Sequence, residues 1–90
     1  MTPPTTLGRT AFTRVNATNQ KLFRVNADIP VEDALEMASQ FQQHANQLSF
    51  EAAMSDQGER FSWPALYLGE MAKALIDDIN EALFASRVDT

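Results

Sequence analysis

Pro30-Val31-Glu32-Asp33-Ala34-Leu35-Glu36-Met37-Ala38-Ser39 opens the stretch that decides the fold of this chain. Proline is tolerated in a first helical turn, because the N–H it lacks would be unpaired there in any residue. Glu32, Asp33 and Glu36 place negative charge near the positive end of the helix dipole. No glycine or proline interrupts the chain from Val31 to Ser55. Val31, Ala34, Ala38, Phe41, Ala45, Leu48 and Ala52 recur at alternating spacings of three and four, a heptad-like apolar stripe. Leu35 and Met37 widen it, and Glu32, Glu36, Ser39, Gln40, Gln43, Asn46 and Gln47 fill the opposite side. The pattern predicts one long amphipathic helix.

Downstream, Asp56-Gln57-Gly58-Glu59-Arg60 breaks the stripe, with Gly58 as the turn residue. Phe61-Ser62-Trp63-Pro64 predicts a second start, with Ser62 as cap and Pro64 early in the helix. From Pro64 to about Ser86 the stripe is Ala65, Leu68, Ala72, Leu75, Ile79 and Ala82, flanked by Met71, Ile76 and Leu83. Two long helices joined by a loop of about eight residues form an antiparallel hairpin.

At ~100° per residue, the apolar residues of the second helix cover roughly 140°, wider than a two-helix seam uses. The stripes are also rich in alanine, so each contact buries little area. A dimeric four-helix bundle, two hairpins face to face, resolves both features. Its interface and core are assigned to Ala38, Phe41, Ala45, Leu48, Leu68, Ala72, Leu75 and Ile79. The rival arrangement is one hairpin capped by its own Phe12/Phe23 segment.

Before the helices, Met1 to Thr10 reads as a disordered tail without the apolar stretch of a secretory signal. Residues 11–29 read as a basic extended arm, and 30–90 as the helical hairpin. Within the arm, Phe12-Thr13-Arg14-Val15-Asn16-Ala17 is nearly repeated as Phe23-Arg24-Val25-Asn26-Ala27. The pair suits a small antiparallel β-ribbon, formed within one chain or between two. Such a ribbon is marginal alone and must pack on something.

The 90 residues make one domain of net charge −5, with no cysteine for disulfides or thiolate metal sites. The charge is divided unevenly. Residues 1–27 hold Arg9, Arg14, Lys21 and Arg24 and no acid, whereas 28–90 hold twelve acids against three cations. The simplest expectation is that the arm lies on the body and neutralises it. The acidic balance excludes non-specific nucleic-acid binding, and no apolar run approaches the ~20 residues of a membrane span. A cytoplasmic protein is expected.

An antiparallel hairpin brings Glu32, Asp33 and Glu36 to the same end as Asp77, Asp78 and Glu81. Those six, with the outward-facing Leu66 and Phe84, are the candidate partner-binding residues. Phe61, Trp63 and Tyr67 are expected to plug the loop end of the bundle. His44 is the single histidine, and no HExxH or ExxH spacing occurs, so no metal or other cofactor is expected. The serines lie in no nucleophile elbow, and the three glycines build no phosphate loop, so no catalytic residue is assigned.

Leu22-Phe23-Arg24-Val25, Glu32-Asp33-Ala34-Leu35-Glu36-Met37-Ala38-Ser39 and the run Ala65 to Leu75 resemble a family of small bacterial proteins of unknown function. That family has an LF-x-V segment, an EDAL-x-x-AS helix start and a second helix. The resemblance covers about residues 20–85 and leaves the Phe12 segment outside. It implies a helical hairpin and a bacterial cytosolic origin, with no activity and no functional residues.

The reading is a non-catalytic homodimeric interaction or regulatory module. The alternative is an acidic inhibitor that covers a basic surface of a target protein. A small apolar ligand between the helices ranks last, because the alanine-rich seam leaves little room.

Overall fold

The computed structural model describes residues 3–88. Four elements follow in order: strand β1, Ala11–Arg14; strand β2, Lys21–Arg24; helix α1, Val31–Met54; and helix α2, Glu59–Val88. The chain is mainly helical, as its apolar periodicity requires, and the two helices form an antiparallel hairpin. The other flank of α2 carries β1. Helix α2 is therefore the central element, and the molecule is a thin slab of 53 × 31 × 16 Å.

Pro30 stands just before α1, and its carbonyl accepts from the N–H groups of Asp33 and Ala34 at 3.0 and 3.1 Å. The N–H of Val31 donates to the Pro4 carbonyl at 3.1 Å, so the N-terminal segment serves in place of a side-chain cap. At the far end, Ser55 leaves the helix in an extended conformation. The turn that follows is shorter than the sequence suggests, because α2 begins at Glu59 rather than at Pro64. Pro64 removes one hydrogen bond, to the Arg60 carbonyl, on an exposed turn where water can replace it. Ser62, now inside the helix, does not cap it. Its hydroxyl donates back to the Gly58 carbonyl at 2.9 Å.

The seam is built from alanine. Ala34, Ala38 and Ala45 of α1 and Ala65, Ala72 and Ala82 of α2 are buried, joined by Ile79, while Ala74 and Val25 are buried where the N-terminal segment packs on the hairpin. Small side chains let the helices approach closely, but they leave few large apolar groups inside.

Strands β1 and β2 pair antiparallel within the chain, with Phe12 directly opposite Phe23 and ring centroids 5.5 Å apart. The near-repeat therefore supplies one aromatic pair across a ribbon. Asn16 organises the connection. Its Oδ1 accepts from the Gln20 N–H at 3.1 Å and from the Thr18 hydroxyl at 2.8 Å. Asn19 turns the chain with φ of 64°.

The expected disordered tail is replaced, over its described part, by an ordered clasp; Met1 and Thr2 lie outside the described residues. Thr6 is buried and makes four hydrogen bonds. Its N–H donates to Ile29 O at 2.8 Å, and its carbonyl accepts from Asp28 N at 2.9 Å. Its hydroxyl donates to Asn26 O at 2.6 Å and accepts from Ile29 N at 3.1 Å. Gly8 follows with φ of +74°, and a Cβ there would lie 2.8 Å from the Ala27 Cβ.

Two glycines therefore respond oppositely to alanine. Gly8→Ala meets both a left-handed backbone and a clash, and should lose about 1–3 kcal/mol. A Cβ on Gly69, inside α2, meets nothing within 4 Å. Gly69→Ala should gain roughly 0.5–1 kcal/mol from helix propensity. Urea unfolding midpoints of the two variants, read against the parent, check both signs.

Candidate interaction surface

Asp78 lies three residues after Leu75 and four before Ala82, on the buried side of α2. Its side chain meets no cation. Oδ1 accepts from the backbone N–H groups of Leu7 at 2.6 Å and Gly8 at 3.3 Å. Oδ2 accepts from Arg9 at 2.9 Å and Thr10 at 3.1 Å. Four successive amides thus form an anion cradle of the kind that concave backbone provides. Burial pushes the carboxyl up, but the bonds from Leu7, Arg9, Thr10 and Gly8 outweigh it and hold Asp78 below its ordinary value.

The acidic end is reorganised accordingly. Asp78 is buried and committed to the arm, so it is not a free partner-binding residue. Asp77 is held by Lys73 one turn earlier, at 2.6 and 2.8 Å from Nζ. Glu32, Asp33, Glu36 and Glu81 remain exposed. The N-terminal segment and arm grip the body by hydrogen bonds to two carboxylates, Asp78 and Glu70, rather than by ion pairs. Among the described residues, Arg9, Arg14, Lys21 and Arg24 form no ion pair with it, contrary to the expected neutralisation.

The eight residues assigned to interface or core fall into two groups. Ala38, Ala45, Ala72 and Ile79 are buried inside the single chain and have no surface left to offer. Phe41, Leu48, Leu68 and Leu75 are half-buried. Phe41 and Leu75 line a hollow of about 360 Å³ with Met37, Met71, Phe12 and Phe23, so the alanine seam does leave room beside it. Leu48, seven residues after Phe41, and Leu68, seven before Leu75, extend the same helix faces toward the loop. Phe23 is 48% exposed and Met37 43% at the rim of this hollow. The sequence places Phe23, with Phe12, in a segment able to cap the hairpin of its own chain and Met37 beside the stripe, and the structure brings the two to one rim.

A second, larger hollow of about 840 Å³ shares Phe12 with the first and otherwise borders different residues of the ribbon and helices. It is lined by Arg14, Lys21, Gln42, Asn46, Glu70 and Lys73 among others, and Glu70 accepts from the Thr13 hydroxyl at 2.9 Å. Leu66 lines it, half exposed. Phe84 is two-thirds exposed beside Arg9 and Glu81. The arm reaches Phe84 without covering it. Of the three aromatics expected to plug the loop end, Phe61 is half-buried, whereas Trp63 and Tyr67 meet with tilted rings 6.2 Å apart and stay 59% and 48% exposed. Among the described residues, no three His, Asp or Glu side chains gather as a metal site, and no helix is long and apolar enough to cross a membrane.

These features define a helical hairpin closed by an N-terminal β-clasp. The sequence matches the family described as Protein of unknown function (DUF3077) over residues 6–82, and the chain belongs to that family. The match includes the Phe12 segment, Thr6 and the Leu7–Thr10 cradle, all outside the span of the sequence resemblance. No curated protein and no solved structure matches the chain.

The depressed Asp78 carboxyl stabilises the fold fully above its unfolded pKa of about 3.9, and that contribution is lost as pH falls through the lower folded value. Asp78→Asn should cost about 2–4 kcal/mol at pH 7, because an amide can accept from only part of the cradle. The deficit should shrink on acidification below about pH 4. Urea titrations at both pH values read this, and equal midpoints at pH 7 would refute the cradle's role. Trypsin cleavage after Arg9 should accelerate in the same variant.

Proposed function

We propose that this protein is a non-catalytic interaction module that works as a homodimer in the bacterial cytoplasm. The reading rests on surface that one copy does not bury. The chain exposes 6782 Å², whereas a compact monomer of 10.0 kDa exposes about 5,200 Å². Its radius of gyration is 15.4 Å, against about 12 Å for a compact chain of this length. The excess, about 1,500 Å², is on the scale of the surface that one subunit of an obligate homodimer buries. Phe, Leu and Met side chains supply part of it while alanine fills the seam, an arrangement that burial of apolar surface disfavours in a free monomer.

The exposed acids support a second reading. Glu32, Asp33 and Glu36 lie at one end of α1 without an ion pair among the described residues. That surface suits a basic target, and binding of this type weakens steeply with salt.

Sedimentation equilibrium at micromolar concentration separates the readings. The dimer predicts twice the 10.0 kDa chain mass, unchanged between low and high salt. A monomer at every concentration would remove the homodimer and favour the acidic inhibitor.

A further inference from the structure

The faces of the slab are unequal, and this identifies where a second copy would sit. We infer that the apolar hollow formed by Phe12, Phe23, Met37, Phe41, Met71 and Leu75 receives a second copy of this chain, and that the β-ribbon takes part in the contact, with Phe23 of each subunit seated against the other's hollow. The inference rests on the homodimer proposed above and specifies its geometry.

Three observations select this occupant. The first is area, since the unburied excess of about 1,500 Å² is on the scale of one side of an obligate dimer interface. The second is self-complementarity. A two-fold contact must join one patch to its own copy, so the patch needs both a recess and a projection. Here the recess of about 360 Å³ and the rim side chains Phe23 and Met37, 48% and 43% exposed, belong to the same patch. The third is charge. Arg24 and Asp33 both border the hollow, and neither has an ion-pair partner within the chain among the described residues. A two-fold axis can bring Arg24 of each copy toward Asp33 of the other. The larger hollow also carries charges of both signs, Arg14 and Lys21 against Glu70, but Glu70 already accepts from Thr13 and Arg14 already donates to Asn19, and Leu66 is the one exposed large apolar side chain in its lining.

The geometry also changes what the helices do. The alanines of α1 and α2 are buried within one chain, so they are not the surface on which two copies meet. The dimer instead joins the half-buried faces of Phe41, Leu48, Leu68 and Leu75, extended by the ribbon.

Sedimentation equilibrium on Phe23→Glu, Met37→Glu and Leu66→Glu tests the assignment, with far-ultraviolet circular dichroism to report folding. Phe23→Glu and Met37→Glu should weaken dimerisation at least 100-fold, and Leu66→Glu on the other hollow should leave it within about three-fold of the parent. A monomeric parent overturns both the homodimer and this inference. A dimeric parent that Leu66→Glu dissociates, while the other two variants stay dimeric, overturns the inference alone. Should dissociation also unfold the chain, disulfide trapping decides. The parent has no cysteine, so Phe23→Cys chains can be mixed with tagged Met37→Cys chains and oxidised. Mixed disulfides forming at least ten-fold faster than with Leu66→Cys chains support the contact, and equal rates overturn it. A parent that is monomeric and carries a small apolar molecule in native mass spectrometry assigns the hollow to that ligand instead.

Discussion

One carboxylate fastens the N-terminal clasp to the helical hairpin. Asp78 is buried without a cation, which is tolerable because four backbone N–H groups converge on it. The converse is equally important. Leu7, Gly8, Arg9 and Thr10 lie in no helix or sheet, so their amides have no ladder to join, and a single side chain satisfies all four. Fixing those residues aligns Thr6 with Asn26, Asp28 and Ile29, and places β1 along α2. The Phe12–Phe23 pair then stands beside Met71 and Leu75. The apolar hollow, the ribbon that borders it and the start of α1 all follow from this one anchor.

The alanine seam explains why the molecule is thin. Alanine contributes little buried area, so close helix approach substitutes for bulk. Larger residues in the same stripes, such as Phe41 and Leu75, cannot enter the seam and remain at its edge. A chain of this size already buries only roughly 60% of its unfolded surface. With alanine at most buried positions, the apolar side chains that would complete a core lie on a face. This separation between a tight seam and an unpartnered apolar face is the strongest argument for assembly.

The helices were legible because their signal is local and repeated. Apolar residues at three and four spacing define α1 almost to its last residue, and the paired Phe segments mark the ribbon. The clasp was not legible for the opposite reason. Thr6 and Gly8 lie in a Thr/Pro-rich stretch without periodicity, and their order depends on contacts 20 and 70 residues away. Pro64 misled because local preference favours a first turn, whereas the seam contact at Ala65 lies on a helix already begun at Glu59. At the candidate site, the stripe identified Phe41, Leu48, Leu68 and Leu75 but could not divide seam from surface. Composition made Asp77, Asp78 and Glu81 look equivalent. Only the position of Asp78 on the apolar side of α2 hinted at a different fate.

Because the anchor takes hold of main chain alone, it is indifferent to side-chain identity at three of its four positions. Residues 7, 9 and 10 can be exchanged for almost anything except proline, which has no N–H to give. Position 8 is the exception, since the left-handed turn and the nearby Ala27 exclude a Cβ. The stretch is therefore free to diversify its outward side chains while the fold beneath stays fixed. Its trace across related chains would be sparse: a threonine, a glycine two residues later, and an aspartate seventy residues beyond that glycine.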